Sequence, residues 1–333
     1  MTTVVLGWDG LDAQLVQEFG LSSAFGEYCS SLETFANDAI GKPHTREIWP
    51  TIITGLPPEK HGIQAATDED PVKWSHPALQ TAADVGRTVV PDRPRSQIGR
   101  WLRSQGAEVE RYGPQYYKER GIPTVFDRRR SSTIAVPNYW TDRDERMGFI
   151  FDRGAELSEW LERGATGWKP VSRDQQKMVE EQMFSEAGSK IGLIKSELQR
   201  EYDLIFAWFG VVDTAGHVEP VAEEPVQERA YRAAANWTEE VRSALGDGDE
   251  LVCLSDHGLR DGDHTMDAVI AGDNRGLVED TQSVFDICHT LEMVAPARQN
   301  ESVPPVRVET GRVGEESSAD DVRERLEGLG YVQ

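Results

Sequence analysis

Cysteine, long apolar runs and a leader-like segment are all missing or scarce in this sequence. The three cysteines (Cys29, Cys253 and Cys288) are odd in number and lack metal-type spacing, which argues against a disulfide framework. No segment approaches the roughly 20 apolar residues that span a bilayer. Because the chain opens directly into strand-like residues 3–8, we expect no secretory signal and a cytoplasmic location.

Basic residues are also in short supply. Thirty-five Lys and Arg face 58 Asp and Glu, the net charge is -23, and only 8 of the bases are lysine. Nucleic acids and anionic membranes attract basic surfaces, so we expect neither as a partner. Acid-rich, lysine-poor chains resemble proteins of salt-adapted, haloarchaeal-type organisms, and an ordinary acidic protein is the alternative. Nine Trp and 38% apolar residues argue against disorder.

Short apolar runs alternate with helical patterns along the chain. The runs predict buried strands at 3–8, 132–137, 203–212 and 250–255, and the helical patterns cover 172–198, 225–245 and 319–330. This alternation predicts an α/β fold with a mostly parallel sheet. We expect a single domain over 1–333, with room for a small cap within 64–200 and a surface excursion at 298–320.

Three of the predicted strands lead into an aspartate. Asp9 follows the first strand, Asp213 the third and Asp256 the fourth. Ligands of open α/β sheets bind outside the carboxyl ends of the strands, so these carboxylates should converge. Three adjacent carboxylates repel one another, and a divalent cation resolves that repulsion.

Histidines follow two of these aspartates closely. His217 comes four residues after Asp213, His257 directly follows Asp256, and His264 lies seven residues further on. Mixed Asp and His ligands suit zinc or manganese rather than calcium or magnesium. An isolated Asp after a strand is usually a turn or capping residue, but the combination favours two divalent metal ions, zinc first and manganese as the alternative.

A hydroxyl group precedes a predicted short helix. Thr45 stands just before this helix, which should end near Gly55. A hydroxyl at a helix N-terminus lies where a phosphate binds, and a metal ion would lower its pKa and make it a nucleophile. The alternative is that Thr45 only caps the helix. Nearby His61 is expected to hydrogen-bond locally, and His44 either lines the site or is exposed.

Together these pieces resemble the alkaline phosphatase superfamily, in its type I phosphodiesterase and nucleotide pyrophosphatase branch. The matching segments, in the family's order, are Asp9-Gly10, Thr45 to Ile63 with its Thr-Gly-Leu-x-Pro-x-x-His-Gly-Ile ending, Asp213-x-x-x-His217, Asp256-His257-Gly258 and His264. The resemblance implies a three-layer α/β/α sandwich. It also implies one metal held by Asp9, Thr45, Asp256 and His257, and a second held by Asp213, His217 and His264.

The nucleophile region departs from the family pattern in one respect. The family's nucleophile lies ten residues before the Gly of the Thr-Gly pair, which indicates Thr45, with Thr51 as the reserve nucleophile. The Asn that helps to hold a phosphate oxygen in nucleotide pyrophosphatases is missing. Arg46 could replace it, since a guanidinium suits phosphoryl oxygens, although an Arg often pairs with a neighbouring acid instead.

The resemblance predicts a metal-dependent hydrolase of small-molecule phosphate esters. The first hypothesis is a phosphodiesterase or nucleotide pyrophosphatase that acts through a phospho-threonine. A phosphomonoesterase, a sulfatase-like hydrolase and a phosphoryl or headgroup transferase are the enzymatic alternatives, and a metal-binding pseudoenzyme is the non-enzymatic one. The sulfatase branch fits less well because none of the cysteines lies in a Cys/Ser-x-Pro-x-Arg pattern.

Overall fold

A computed structural model describes residues 1–38, 40–64, 112–149, 163–164, 167–168, 172–295 and 297. The strands are β1 (Thr3–Trp8), β2 (Tyr28–Glu33), β3 (Ser131–Ile134), β4 (Arg163–Gly164), β5 (Gly167–Trp168), β6 (Leu204–Phe209), β7 (Glu250–Leu254), β8 (Gly258–Arg260), β9 (Asp263–Thr265) and β10 (Asp267–Gly272). The α-helices are α1 (Ala13–Glu18), α2 (Ser22–Phe25), α3 (Thr45–Thr54), α4 (Pro58–His61), α5 (Pro114–Arg120), α6 (Asp142–Arg146), α7 (Arg173–Glu197), α8 (Val211–Val218), α9 (Gln227–Arg242), α10 (Arg275–Asp280) and α11 (Ile287–Val294).

Six strands form the central sheet in the order β2-β10-β7-β1-β6-β3. Strand β1 pairs in parallel with β6 and β7, and β3 pairs in parallel with β6. Strand β10 runs antiparallel to both of its neighbours. The predicted α/β class with a mostly parallel sheet is therefore confirmed.

Aromatic side chains fix helices to both faces of the sheet. On one face, the Trp49 ring of α3 meets the Phe206 ring of β6 edge to face, with centroids 6.1 Å apart. On the other face, Trp8 of β1 stacks on Trp237 of α9 at 6.4 Å. Strands β1 and β6 are buried along their whole length, as expected for parallel strands covered on both sides, and the architecture has three layers.

The predicted strand at 203–212 is wrong at its carboxyl end. Strand β6 stops at Phe209, and Val211 and Val212 belong to α8, which begins after Gly210. The predicted strand at 132–137 is also too long, because Ala135 has a left-handed backbone with φ of 57° that ends β3.

The two long predicted helices are confirmed with small changes at their ends. Helix α7 begins with a capping box formed by Ser172 and Gln175, and α9 covers most of 225–245. The helix at 319–330, the excursion at 298–320 and much of the cap segment within 64–200 lie outside the described residues, so the single domain remains a prediction. Among the described helices, none is long and apolar enough to cross a membrane.

Candidate active site

The three aspartates lie at the carboxyl edge of the parallel strands. Asp9 directly follows β1, and Asp256 follows β7 after one intervening serine. Asp213 stands in the first turn of α8, the helix that follows β6. Strand β1 lies between β6 and β7, so the sheet order alone brings the ends of these three segments together.

The first cluster consists of Asp9, Asp256 and His257, and its side chains are buried. The Nε2 atom of His257 lies 3.2 Å from Asp9 Oδ1 and 3.4 Å from Asp256 Oδ2. The backbone N–H of Gly10 donates to Asp256 Oδ1 at 3.4 Å. Two carboxylates and one imidazole therefore share a site closed to solvent.

The second cluster consists of Asp213, His217 and His264, and it is partly open to solvent. Asp213 and His217 are one turn apart on α8, which puts both on the same side of the helix. Asp213 Oδ1 lies 3.4 Å from His217 Nε2 and 3.7 Å from His264 Nε2. The two Nε2 atoms are 3.1 Å apart and face each other.

The other nitrogen of each imidazole meets a backbone carbonyl oxygen. His257 Nδ1 lies 3.0 Å from the oxygen of Gly258, His217 Nδ1 3.2 Å from that of Gly262, and His264 Nδ1 2.8 Å from that of Pro43. A carbonyl accepts only, so each Nδ1 carries the hydrogen. In the neutral ring, each Nε2 then presents its lone pair to the cluster, which is the arrangement of a metal-ligating histidine held by an outer hydrogen bond.

The clusters are electrostatically unbalanced in their ion-free arrangement. Burial, followed by the negative charge of Asp9, raises the pKa of Asp256 well above its usual value. For His257 burial acts to lower the pKa, but Asp256 and Asp9 prevail and raise it to about 10. For Asp213 burial acts to raise the pKa, but His217 and His264 hold it below its usual range. A divalent cation among these groups would offset the negative charge that raises the pKa values of Asp256 and His257.

Two carboxylate oxygens support a fit to cations. Asp213 Oδ1 and Asp256 Oδ2 are buried and have no hydrogen-bond partner among the described residues. Buried polar atoms in native proteins are nearly always satisfied, so each oxygen has unused capacity to bind a ligand. Oxygen and imidazole donors in groups of three suit a divalent transition metal, and both clusters fit one.

Thr45 is the first residue of α3 and points into the first cluster. Its Oγ1 lies 3.2 Å from Asp9 Oδ1 and 3.1 Å from His257 Nε2. The alternative that Thr45 caps the helix is wrong, because the N-cap is His44, whose Nδ1 accepts from the Arg46 N–H at 3.2 Å. The hydroxyl therefore stands at the N-terminus of a ten-residue helix, where the dipole favours a bound anion.

Thr51, the reserve nucleophile, lies inside the protein. Its side chain is 0% exposed, and its Oγ1 donates to the carbonyl oxygen of Glu47 at 3.0 Å and lies 3.2 Å from His61 Nε2. This location gives Thr51 no access to a substrate. The expected local hydrogen bonding of His61 is confirmed.

Arg46 is exposed and follows Thr45 directly on α3. Within the described residues, no acid lies at ion-pair distance from its guanidinium, so the pairing that sequence reasoning weighed is not found there. Its carbonyl oxygen accepts from Asn138 Nδ2 at 2.7 Å. Asn138 is buried, and its backbone lies in the left-handed region with φ of 59°. Sequence reasoning missed Asn138, and the only local signal for it was the turn-forming Pro137-Asn138 pair after β3.

Comparisons with solved structures give weak overall likenesses. A putative sulfatase from Bacteroides thetaiotaomicron is 11% identical, with a TM-score of 0.48, and 89% of this chain matches 71% of it. Murine ectonucleotide pyrophosphatase/phosphodiesterase 5 is 14% identical with a TM-score of 0.38, and 78% of this chain matches 57% of it. Alkaline phosphatase from the Antarctic bacterium TAB5 is 11% identical with a TM-score of 0.39, and 90% of this chain matches 98% of it.

The family assignment comes instead from the sequence. No curated protein matches the chain. The model of the family described as type I phosphodiesterase / nucleotide pyrophosphatase matches residues 3–327, nearly the whole chain. The chain therefore belongs to the type I phosphodiesterase / nucleotide pyrophosphatase family, and so to the phosphoester hydrolases of the alkaline phosphatase superfamily.

Proposed function

We propose that the protein is a metal-dependent phosphodiesterase that cleaves small phosphate esters through a covalent phosphate on Thr45. The observation that carries this proposal is the position of the Thr45 hydroxyl. It is partly exposed, begins a helix, and lies within 3.2 Å of both Asp9 Oδ1 and His257 Nε2. A hydroxyl that served only as a helix cap would have no need of this contact with a buried ligand cluster.

Two divalent cations complete the site in this proposal. Asp9, Thr45, Asp256 and His257 hold the first, and Asp213, His217 and His264 hold the second, with zinc favoured and manganese the alternative. Such a pair supplies Lewis-acid stabilisation of negative charge and lowers the pKa of the hydroxyl and of water.

The protein's own groups then carry out two displacements. The proton of Thr45 Oγ1 passes to solvent as Oγ1 forms a bond to phosphorus, while the bond from phosphorus to the leaving oxygen breaks and that oxygen takes up a proton from solvent. Water later attacks phosphorus, the bond from phosphorus to Oγ1 breaks, one proton of the water restores the Thr45 hydroxyl, and the phosphate monoester leaves as the second product. The Arg46 guanidinium and the backbone N–H of Thr45 at the start of α3 hold the non-bridging phosphate oxygens, and Asn138 fixes the backbone at Arg46.

Diester preference and the nucleophile can be tested in one experiment. Purified protein in molar KCl with Zn²⁺ or Mn²⁺ receives bis-p-nitrophenyl phosphate, p-nitrophenyl phosphate and p-nitrophenyl sulfate in parallel. We expect fastest cleavage of the diester and a loss of at least about a thousandfold in Thr45→Ala, with metal content retained. Mass spectrometry of quenched enzyme should find a p-nitrophenyl phosphoryl group on Thr45 after the diester, and phosphate there after the monoester.

Three further variants make the result specific. Thr45→Ser keeps a hydroxyl and should keep measurable turnover, whereas Thr51→Val removes the buried hydroxyl and should leave turnover within about tenfold. Arg46→Gln should weaken transition-state binding by about tenfold to a hundredfold in kcat/KM. A faster reaction with the monoester or the sulfate would move the protein to another activity of the superfamily. Full turnover in Thr45→Ala would refute the phospho-threonine.

We also propose that the protein is adapted to high salt, since its net charge of -23 is carried with few lysines.

A further inference from the structure

One short hairpin contacts both ligand clusters. Strands β8 and β9 are joined by Asp261 and Gly262, whose φ angles of 52° and 79° make a tight two-residue turn. His257 directly precedes β8, and His264 lies on β9 opposite Leu259. The carbonyl oxygen of Gly262 meets His217 Nδ1 at 3.2 Å. The hairpin (residues 258–265) therefore borders the first cluster at its base and the second along its length.

A buried aspartate outside both clusters holds this hairpin. The side chain of Asp12 is 0% exposed. Its Oδ2 accepts from Thr265 Oγ1 at 2.7 Å and lies 3.0 Å from Arg260 Nε. Thr265 is the residue next to His264, and Arg260 is on the facing strand. Asp12 thus contacts both strands of the hairpin.

The same aspartate is fixed rigidly to the rest of the fold. Its Oδ1 caps α1 by accepting from the N–H groups of Gln14 and Leu15 at 2.9 and 3.2 Å. Its own N–H donates to the Tyr231 hydroxyl of α9 at 2.8 Å. Since Asp9 lies three residues earlier on the same segment, Asp12 connects the hairpin to the backbone that carries a cluster ligand.

The fit between Asp12 and the hairpin leaves no spare room. A Cβ atom at Gly258 would lie 2.3 Å from Asp12 Oδ2, so only glycine allows this approach. Gly258 is the residue next to His257. Arg260 reinforces the contact, since its remaining nitrogens reach Gln14 Oε1 and Asp267 Oδ2. Gly258 and Thr265, the residues beside the two cluster histidines, thus both lie against Asp12.

We infer that Asp12 is a positioning residue that sets the geometry of both metal clusters at once through the hairpin. It is not a member of either candidate metal cluster, so it acts through His257 and His264. This inference rests on the metal sites of the proposed function. Groups that orient metal ligands typically change metal affinity by about 10- to 100-fold when removed.

Asp12→Asn is the sharpest test because asparagine still caps a helix but loses the charge that faces Arg260. Zn²⁺ is titrated into the metal-free full-length protein by calorimetry. We expect two sites in the wild type and at least about a tenfold loss of affinity at both in the variant. The imidazole nitrogen resonances of His257 and His264 should also shift in the metal-free variant, before any metal is added.

Thr265→Val provides a second variant, which removes only the hydroxyl donor and should weaken both sites in the same direction. Asn274→Ala is the matched control. It removes a side-chain cap from α10, which follows the carboxyl end of β10. Because β10 runs antiparallel to β7, this end of β10 lies at the edge of the sheet opposite the one that carries Asp256. This control variant should leave Zn²⁺ affinity within about twofold.

The outcomes separate the two proposals. Two tight sites in the wild type that are unchanged in Asp12→Asn and Thr265→Val would overturn the positioning role and leave the metal sites in place. Loss at only one site would overturn the coupling through the hairpin. A wild type that binds no Zn²⁺ would refute both proposals. If both Zn²⁺ sites weaken in the two variants but the wild type cleaves no ester, the positioning role of Asp12 stands and the proposed activity is refuted.

Discussion

The imidazoles of His257 and His264 stack on each other with ring centroids 4.0 Å apart and an interplanar angle of 18°, although they belong to different ligand clusters. Side chains of the two clusters are therefore in direct contact. Burial, followed by the positive charge of His257, lowers the pKa of His264. Burial is the larger of the two causes, and it favours the neutral form of His264, which is the form that can bind a metal.

The two clusters differ in burial, which predicts different rates of metal exchange. Side-chain exposure is 0–3% for His257, Asp256 and Asp9, but 21–29% for Asp213, His217 and His264. An excess of a coloured chelator should remove the second ion quickly and the first slowly. Two kinetic phases of equal amplitude, followed by stopped-flow absorbance, are the expected result.

Single variants assign the two phases. His217→Ala should abolish the fast phase and keep the slow one, whereas Asp256→Asn should do the reverse. One phase of double amplitude in the wild type would show that burial does not control exchange. The stacked rings make one cross-effect expected: His264→Ala should also accelerate the slow phase, because it exposes one face of His257.

His61 predicts a loss of stability in acid. Burial lowers the pKa of this side chain to about 4. The unfolded chain binds a proton near pH 6.5, so the contribution of neutral His61 is complete above that pH and is lost as the pH falls towards 4. It amounts to roughly 1–3 kcal/mol. In the neutral ring Nδ1 accepts from the Ile63 N–H, which leaves Nε2–H to donate to Thr51.

Urea denaturation of metal-free protein at a series of pH values measures this effect. His61→Gln keeps a terminal amide donor for Thr51 but cannot titrate. Its free energy of unfolding should therefore fall less steeply than that of the wild type between pH 6.5 and 4. Parallel curves for the two proteins would contradict a contribution from His61.

Much of the site could be predicted because its ligands follow continuous apolar strands. The burial of β1 and β7 shows in their composition, and parallel strands end at the same edge of a sheet, so the sequence predicts that Asp9, Asp213 and Asp256 converge. The grouping of Asp9 with Asp256 came only from the family resemblance. The start of α8 could not be predicted. Val211 and Val212 extend an apolar run, and a buried helix start has the same pattern as a buried strand end.

The supporting residues were beyond sequence reasoning for a different reason. Asp12 and Thr265 are hydrogen-bonded across 253 positions in the sequence, and Asn138 and Arg46 across 92. Hydrophobic periodicity within a short segment cannot predict contacts between residues so far apart in the sequence. Asp12 looks like an ordinary helix cap, which it also is, and its second role depends on where the hairpin docks.

The charge excess predicts that salt stabilises the protein. Exposed ion pairs such as Arg173–Glu224 and Arg232–Glu228 contribute little, and salt weakens them further. Repulsion within a net charge of -23 is the larger effect, and molar salt shortens its range to about 3 Å. We expect the melting temperature to rise by more than about 5 °C between 0.1 and 2 M KCl. Calorimetry should show this rise in KCl but a smaller one in sucrose of equal osmolality. A flat or falling temperature would indicate an ordinary acidic protein.

Lys190 predicts a large loss of stability from a single substitution. Its ammonium lies 2.6 Å from Glu186 Oε1 and donates to the carbonyl oxygen of Trp208 at 2.9 Å, with both charged side chains no more than 5% exposed. Lys190→Ala leaves the Glu186 carboxylate without its cation in the interior, which should cost about 3–5 kcal/mol of unfolding free energy.

Lys195 lies on the same helix, α7, and offers the matched control. Its ammonium is 3.4 Å from Glu240 Oε2, with side chains 47% and 52% exposed, so Lys195→Ala should change the unfolding free energy by less than about 1 kcal/mol. Equal effects of the two variants in urea denaturation would contradict the buried pair.

Trp208 is the penultimate residue of β6, the strand that leads to Asp213. Loss of Lys190 therefore removes a hydrogen bond between α7 and this strand end. Lys190→Ala should therefore also weaken Zn²⁺ binding at the second cluster more than at the first.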